Sequence, residues 1–149
     1  MNKKVSSSFR MTCVSALAKR RVAFGFTQAK LGKAVGLSRT YVGRIESGAT
    51  NVSIETLEKL RTALWPDEAD KTPYKSKLAK SLASSRLRAE ISQERLSELA
   101  HVSIPFISAV ERGLTNTSLD QIEVLANTLQ EDPMQWLGLD AEPQNSELP

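Results

Sequence analysis

Apolar residues fall at helical intervals in short blocks, each bounded by residues that start or stop helices. Leu31, Ala34 and Val35 are spaced i, i+3, i+4, which predicts an amphipathic helix. Thr27 precedes it as an N-cap, and Gly36 follows as a left-handed stop. Ser38 then caps a helix whose inward positions are Tyr41, Val42 and Ile45. Ser53 caps another with Ile54, Leu57, Leu60 and Leu64 inside. Upstream, a first helix is expected from near Met11 to around Phe24.

The same pattern returns 65 residues later without a gap, from Leu17 on Leu82 through Leu64 on Leu129. Arg21/Arg86, Gln28/Gln93, Leu31/Leu96, Ser38/Ser103, Glu46/Glu111, Gly48/Gly113, Asn51/Asn116, Ser53/Ser118 and Glu58/Glu123 are identical pairs. Tyr41/Phe106, Val42/Ile107 and Ile45/Val110 are conservative ones. Two copies fall short of a solenoid, so the chain reads as a duplicated domain. In the second copy Thr72-Pro73 offers a cap and a first-turn proline for a helix from Pro73 to near Ala89. Ser92, Ser103 and Ser118 cap the next three, Ser118 with Gln121 as a capping box. Asp132-Pro133 opens a short fifth helix with Trp136 and Leu137. The expected division is a basic arm over 1–10, a first domain over 11–66, a linker over 67–72, a second domain over 73–139 and a disordered tail over 140–149.

Composition narrows the function. The 149 residues are 40% hydrophobic and 25% charged, ordinary for a globular protein, and aromatics make up 5%, so aliphatic side chains must fill the cores. The single cysteine, Cys13, excludes an internal disulfide and a Cys-based zinc cluster; it fits a reducing cytoplasm as a buried thiol. No apolar run is long enough for a membrane span. The overall charge of +3 conceals a polarity: residues 1–65 carry 12 Lys/Arg against 3 Asp/Glu, whereas residues 82–149 carry 4 against 11. The first half is suited to phosphates and the second on average repels them.

The stretch from Gln28 to Gly48, with Leu31, Gly36, Leu37, Val42, Ile45 and the Glu46-Ser47-Gly48 turn, resembles the phage-repressor and Cro-like (XRE-type) helix-turn-helix family; Gln93 to Gly113 is similar. The resemblance implies an all-α fold of two tandem lambda-repressor-like helix-turn-helix domains, four to five helices each. Gly32 and Ser97 stand where the two motif helices approach and a small residue is needed. On the family's pattern the helix after Ser38 enters the major groove, with Arg39, Thr40 and Arg44 facing base edges. Gln28 would touch backbone or support a base contact, and Lys30, Lys33, Ser38, Ser47 and Thr50 are further DNA-binding candidates. Arginine suits guanine because its planar fork makes two parallel hydrogen bonds. The alternative is solvated surface charge. In the resembled family, pairs such as Arg21–Glu46 and Arg86–Glu111 form internal salt bridges.

The second copy keeps its core and changes its outer positions. Lys33 becomes Glu98, Arg39 becomes Ile104, Thr40 becomes Pro105, Arg44 becomes Ala109, and His101 replaces the turn glycine. Loss of polar readers suggests a helix-turn-helix diverted to dimerisation or partner binding, through Ile104 and Pro105 or through Met134, Trp136 and Leu137. The implied protein is a cytoplasmic transcription regulator, by family default a repressor, bound to double-stranded DNA as a homodimer at a palindromic operator. The arm would follow the DNA backbone or enter a minor groove, unless it is a solvated tail. The rival is an antitoxin-like or adaptor protein whose acidic second domain holds a protein partner. A third reading, a monomer using both domains on adjacent half-sites, has the acidity of the second half against it. No phosphate loop, nucleophile–histidine–acid set or metal-ligand cluster points to an enzyme, a metal or a cofactor.

Overall fold

The computed structural model describes the backbone of residues 3–139 and side chains from Phe9 to Leu139. The expected tail over 140–149 lies outside the described residues. Within them the chain is all-helical: α1 (Lys3–Ala23), α2 (Gln28–Val35), α3 (Arg39–Glu46), α4 (Ile54–Leu64), α5 (Tyr74–Arg88), α6 (Gln93–Ala100), α7 (Ile104–Glu111), α8 (Leu119–Thr128) and α9 (Pro133–Trp136). None of these helices is long and apolar enough to cross a membrane.

The expected caps form. Thr27, Ser38, Ser53, Ser92, Ser103 and Ser118 each accept a backbone N–H three residues on. Gly36 ends α2 at φ 78° and His101 ends α6 at φ 59°, so the histidine takes the left-handed turn that glycine serves in the first copy. Gly32 is tightly placed, because a Cβ there would run into the Leu37 carbonyl oxygen. Ser97 meets the equivalent carbonyl differently: its hydroxyl donates to Val102 O at 2.5 Å.

Two differences from the sequence reading concern helix starts. α1 begins at Lys3 rather than near Met11, and its Phe9 is buried. α5 begins at Tyr74 with Pro73 as N-cap and no side-chain bond of its own. Glu58, from the other copy, accepts the Tyr74 N–H at 2.8 Å instead.

Equivalent positions fill equivalent interiors. Leu17/Leu82, Leu31/Leu96, Val42/Ile107, Ile45/Val110, Ile54/Leu119, Leu57/Ile122 and Leu60/Leu125 are all buried. Each such side chain stabilises the fold by about 1.5–3 kcal/mol relative to exposure. The second copy adds α9, which packs on α5 and α8. There Trp136 and Leu137 are 3% and 0% exposed, with Met134 packed beside them. The surface expected to offer Trp136 and Leu137 to a second molecule is therefore taken up inside the chain. Cys13 is also buried, and burial with Glu123 nearby pushes its thiol up to about 12, so it stays a neutral thiol.

The copies meet in a reciprocal contact. α1 packs on α8, and α5 packs on α4. At the centre Ser53 and Ser118 form an isolated antiparallel bridge, in which Ile54 N donates to Thr117 O and Leu119 N donates to Val52 O, both at 2.8 Å. The segment between copies is also tied down, with Arg61 donating to Glu68 at 3.0 Å and to Asp70 O at 2.7 Å.

Candidate nucleic-acid interface

α3 buries Val42 and Ile45 and turns the opposite side outward. Arg39, Thr40, Arg44 and Ser47 recur at helical spacing on that outer side and are all exposed. Neither arginine is engaged in an ion pair among the described residues. Two exposed cations five residues apart suit hydrogen bonds to guanine edges or phosphate oxygens.

The helix is aimed from below by a rigid cluster. Arg21 of α1 donates to Glu46 through Nε at 2.6 Å and Nη2 at 2.9 Å, and its Nη1 reaches Phe26 O at 2.8 Å. Glu46 lies at the end of α3, so this fork ties the outward helix to α1. The bond to Glu46 holds the Arg21 guanidinium above its ordinary pKa, against the opposing effect of burial. Gln28 Nε2 donates to the same carboxylate at 3.0 Å. Gln28 thus helps to fix Glu46 at the end of α3.

The other sequence candidates separate. Ser38 Oγ accepts the Tyr41 N–H at 3.0 Å and keeps its own hydrogen to donate. Ser47 Oγ donates to Arg44 O at 3.1 Å, closing the end of α3. Lys30 and Lys33 are exposed on α2, Lys30 with its ammonium 5.7 Å from the Phe26 ring centre, and Thr50 is half-buried after the helix. Arg20 adds nothing to the outward charge: its Nε caps Leu64 O at 2.7 Å and its guanidinium stacks on Phe24 and Trp65.

The second copy repeats the scaffold and not the readers. Arg86 forks onto Glu111 at 2.7 and 3.1 Å and reaches Ile91 O at 3.0 Å, while Gln93 donates to Glu111 at 3.0 Å. Ile104, 40% exposed, and Pro105 occupy the outward places of Arg39 and Thr40. Sequence reasoning passed over Arg112, which is exposed where the first copy has Ser47.

Two short helices crossing through a tight turn, the second capped by serine and exposed along one side, define a helix-turn-helix DNA-binding protein. The helix-turn-helix family profile matches residues 17–64 and 82–136, more than half of the chain. The protein belongs to that family, in its XRE-type form, and carries two copies in tandem. Comparison with curated proteins and with solved structures found no match.

Proposed function

We propose that the protein is a sequence-specific transcription regulator that reads the major groove through α3, with Arg39, Thr40 and Arg44 at base edges. Lys30, Lys33, Ser38, Ser47 and Thr50 meet the sugar-phosphate backbone, and Gln28 supports the base contacts. The supporting observation is the pair of exposed arginines on a helix fixed by the Arg21–Glu46–Gln28 cluster. Repression in the cytoplasm is the mode we assign by family resemblance.

Selection of duplexes from a random library with the full chain tests this reading. A recovered consensus, with Arg39→Ala or Arg44→Ala costing about 1–3 kcal/mol there, supports it. No enrichment, or an equal loss on every sequence, sinks it.

One eight-residue helix contacts few base pairs, so a second reading element is needed. A homodimer on a palindrome, paired through Ile104 and Pro105, is one source of it. Exposure of Ile104 also favours the rival role, a partner-binding second domain. A stoichiometric protein that leaves with Ile104→Asp would support that role over the DNA-spanning one.

A further inference from the structure

We infer that the two copies form one intramolecular DNA-reading unit, a single chain spanning two adjacent half-sites of which only the one under α3 is read base by base. This rests on the DNA-binding reading above and adds the architecture of the site.

The contact between copies has the form of a two-fold interface, in which residue i of one unit meets j of the other and j meets i. Four reciprocal pairs establish it. Ile54 N to Thr117 O is answered by Leu119 N to Val52 O, both 2.8 Å. Glu55 N to Asn116 Oδ1 at 3.1 Å is answered by Asp120 N to Asn51 Oδ1 at 3.2 Å. Lys75 pairs with Glu55 at 2.7 Å, and Arg10 pairs with Asp120 at 3.5 Å. Helix α5 on α4 is answered by α1 on α8. In every residue pair the answering residues differ by the 65-residue offset, so the repeat in sequence is a pseudo-two-fold in space.

A short segment joins each outward helix to the junction. Val52 is six steps along the chain from Glu46, and Thr117 is six from Glu111. At full extension six steps span about 20 Å, so with about 5 Å across the bridge the ends of α3 and α7 lie within about 45 Å of each other. Half-sites one turn apart, at ~34–36 Å, fall inside that limit.

The second copy retains part of what positions a protein on DNA, with Glu98 in the place of Lys33, and lacks what specifies it. Arg95, Ser103 and Arg112 are exposed on its outward side, and Gln93 keeps its place. Arg95 is held only by an exposed pair with Glu98 at 3.0 Å, which a phosphate readily replaces. Ile104, Pro105 and Ala109 offer no donor fork; their chemistry suits thymine methyl groups. Two carboxylates of this half are removed from its outward charge by the junction or by burial: Asp120 is paired with Arg10 of the first copy, and Glu123 is buried.

The test uses the full chain on its selected duplex, with sedimentation for stoichiometry, backbone footprinting for extent and guanine interference for base reading. One chain per duplex, protection over two successive turns and interference in only one turn is the expected result. Asn51→Ala/Asn116→Ala, checked for unchanged helix content, should lose protection of the second turn. Its salt slope should become shallower by about 0.9 for each phosphate the protein no longer neutralises. Ile104→Asp, which leaves the junction intact, should lose the same turn. Two chains on a palindrome with interference in both halves overturns the inference while the DNA-binding reading stands. A footprint of one turn, or variants with unchanged footprints, also overturns it. Failure to select any sequence sinks the DNA-binding reading itself.

Discussion

The two copies share their interiors and differ on their outer faces. Seven equivalent pairs are buried alike, and both copies hang the third helix of the repeat on an Arg–Glu–Gln cluster of nearly the same geometry. Yet Arg39, Thr40 and Arg44 have become Ile104, Pro105 and Ala109. A packing position must suit its neighbours or the fold is lost, whereas an outward position answers only to what it touches. The replacement of polar by apolar residues on the outward side of one copy is what the proposed DNA-reading asymmetry rests on.

The largest expected effect should be the same in both copies. Arg21 and Glu46 side chains are 13% and 9% exposed, and Arg86 and Glu111 are 14% and 9%. Removing one partner strands a mostly buried charge, at about 3–5 kcal/mol. Arg21→Ala and Arg86→Ala should therefore lower the urea midpoint by similar amounts. A loss below about 1 kcal/mol in either would show that the pair behaves as surface charge.

Next comes a site where the copies part. Glu58 accepts Arg61 Nη1 at 2.8 Å and the Tyr74 N–H at 2.8 Å. Its equivalent, Glu123, has Ala126 in the place of Arg61 and is 3% exposed. Burial and the charge of Asp120 push its carboxyl up to about 7, with Arg10 pulling the other way. A folded-state value above the unfolded one means that the fold favours the protonated acid. That stability is whole below the ordinary value of 4.5 and is lost as pH rises through about 7. Glu123→Gln should thus stabilise the chain at about pH 8 by up to about 3 kcal/mol and do little at about pH 4. Melting curves across that range that run parallel for both proteins would dismiss the effect.

On DNA the asymmetry can be tested directly. Arg44→Ala should cost about 1–3 kcal/mol at the selected site, while Ala109→Arg should tighten binding through the second copy. If Ala109→Arg changes nothing at any salt concentration, α7 does not face the duplex.

Much of this was legible in the sequence, for reasons that separate the parts. Core positions and caps obey local rules, so α2, α3, α4, α6, α7 and α8 fall where periodicity and Ser/Thr placement put them. The start of α1 was missed because Lys3 to Arg10 is polar and has no cap. Its signal was the repeat itself, since Phe9/Tyr74 and Arg10/Lys75 continue the 65-residue offset upstream of Leu17/Leu82. The junction was illegible for another reason. Asn51/Asn116 and Ser53/Ser118 are plain loop and cap residues by type, and only their placement shows them holding the other copy. The apolar Trp136 and Leu137 looked available because spacing in a four-residue helix cannot tell an inner from an outer face.

The smallest effect lies beside the centre of the pseudo-two-fold, at Val52 and its equivalent Thr117, which flank the Ser53–Ser118 bridge. Both are 0% exposed, and their carbonyls accept the two bridging N–H groups at 2.8 Å. The Thr117 hydroxyl is buried with no hydrogen-bond partner among the described residues. An unpaired buried hydroxyl costs about 1–3 kcal/mol, and valine has nearly the same shape without it. Thr117→Val should therefore stabilise the chain by about 1 kcal/mol, leave the backbone bridge intact and make the junction more symmetric. Val52→Thr should do the reverse by placing a second such hydroxyl across the axis. Urea denaturation of the two variants measures both signs at once. A destabilised Thr117→Val would show that the hydroxyl has a partner, and would remove the one asymmetry ascribed to the centre of the junction.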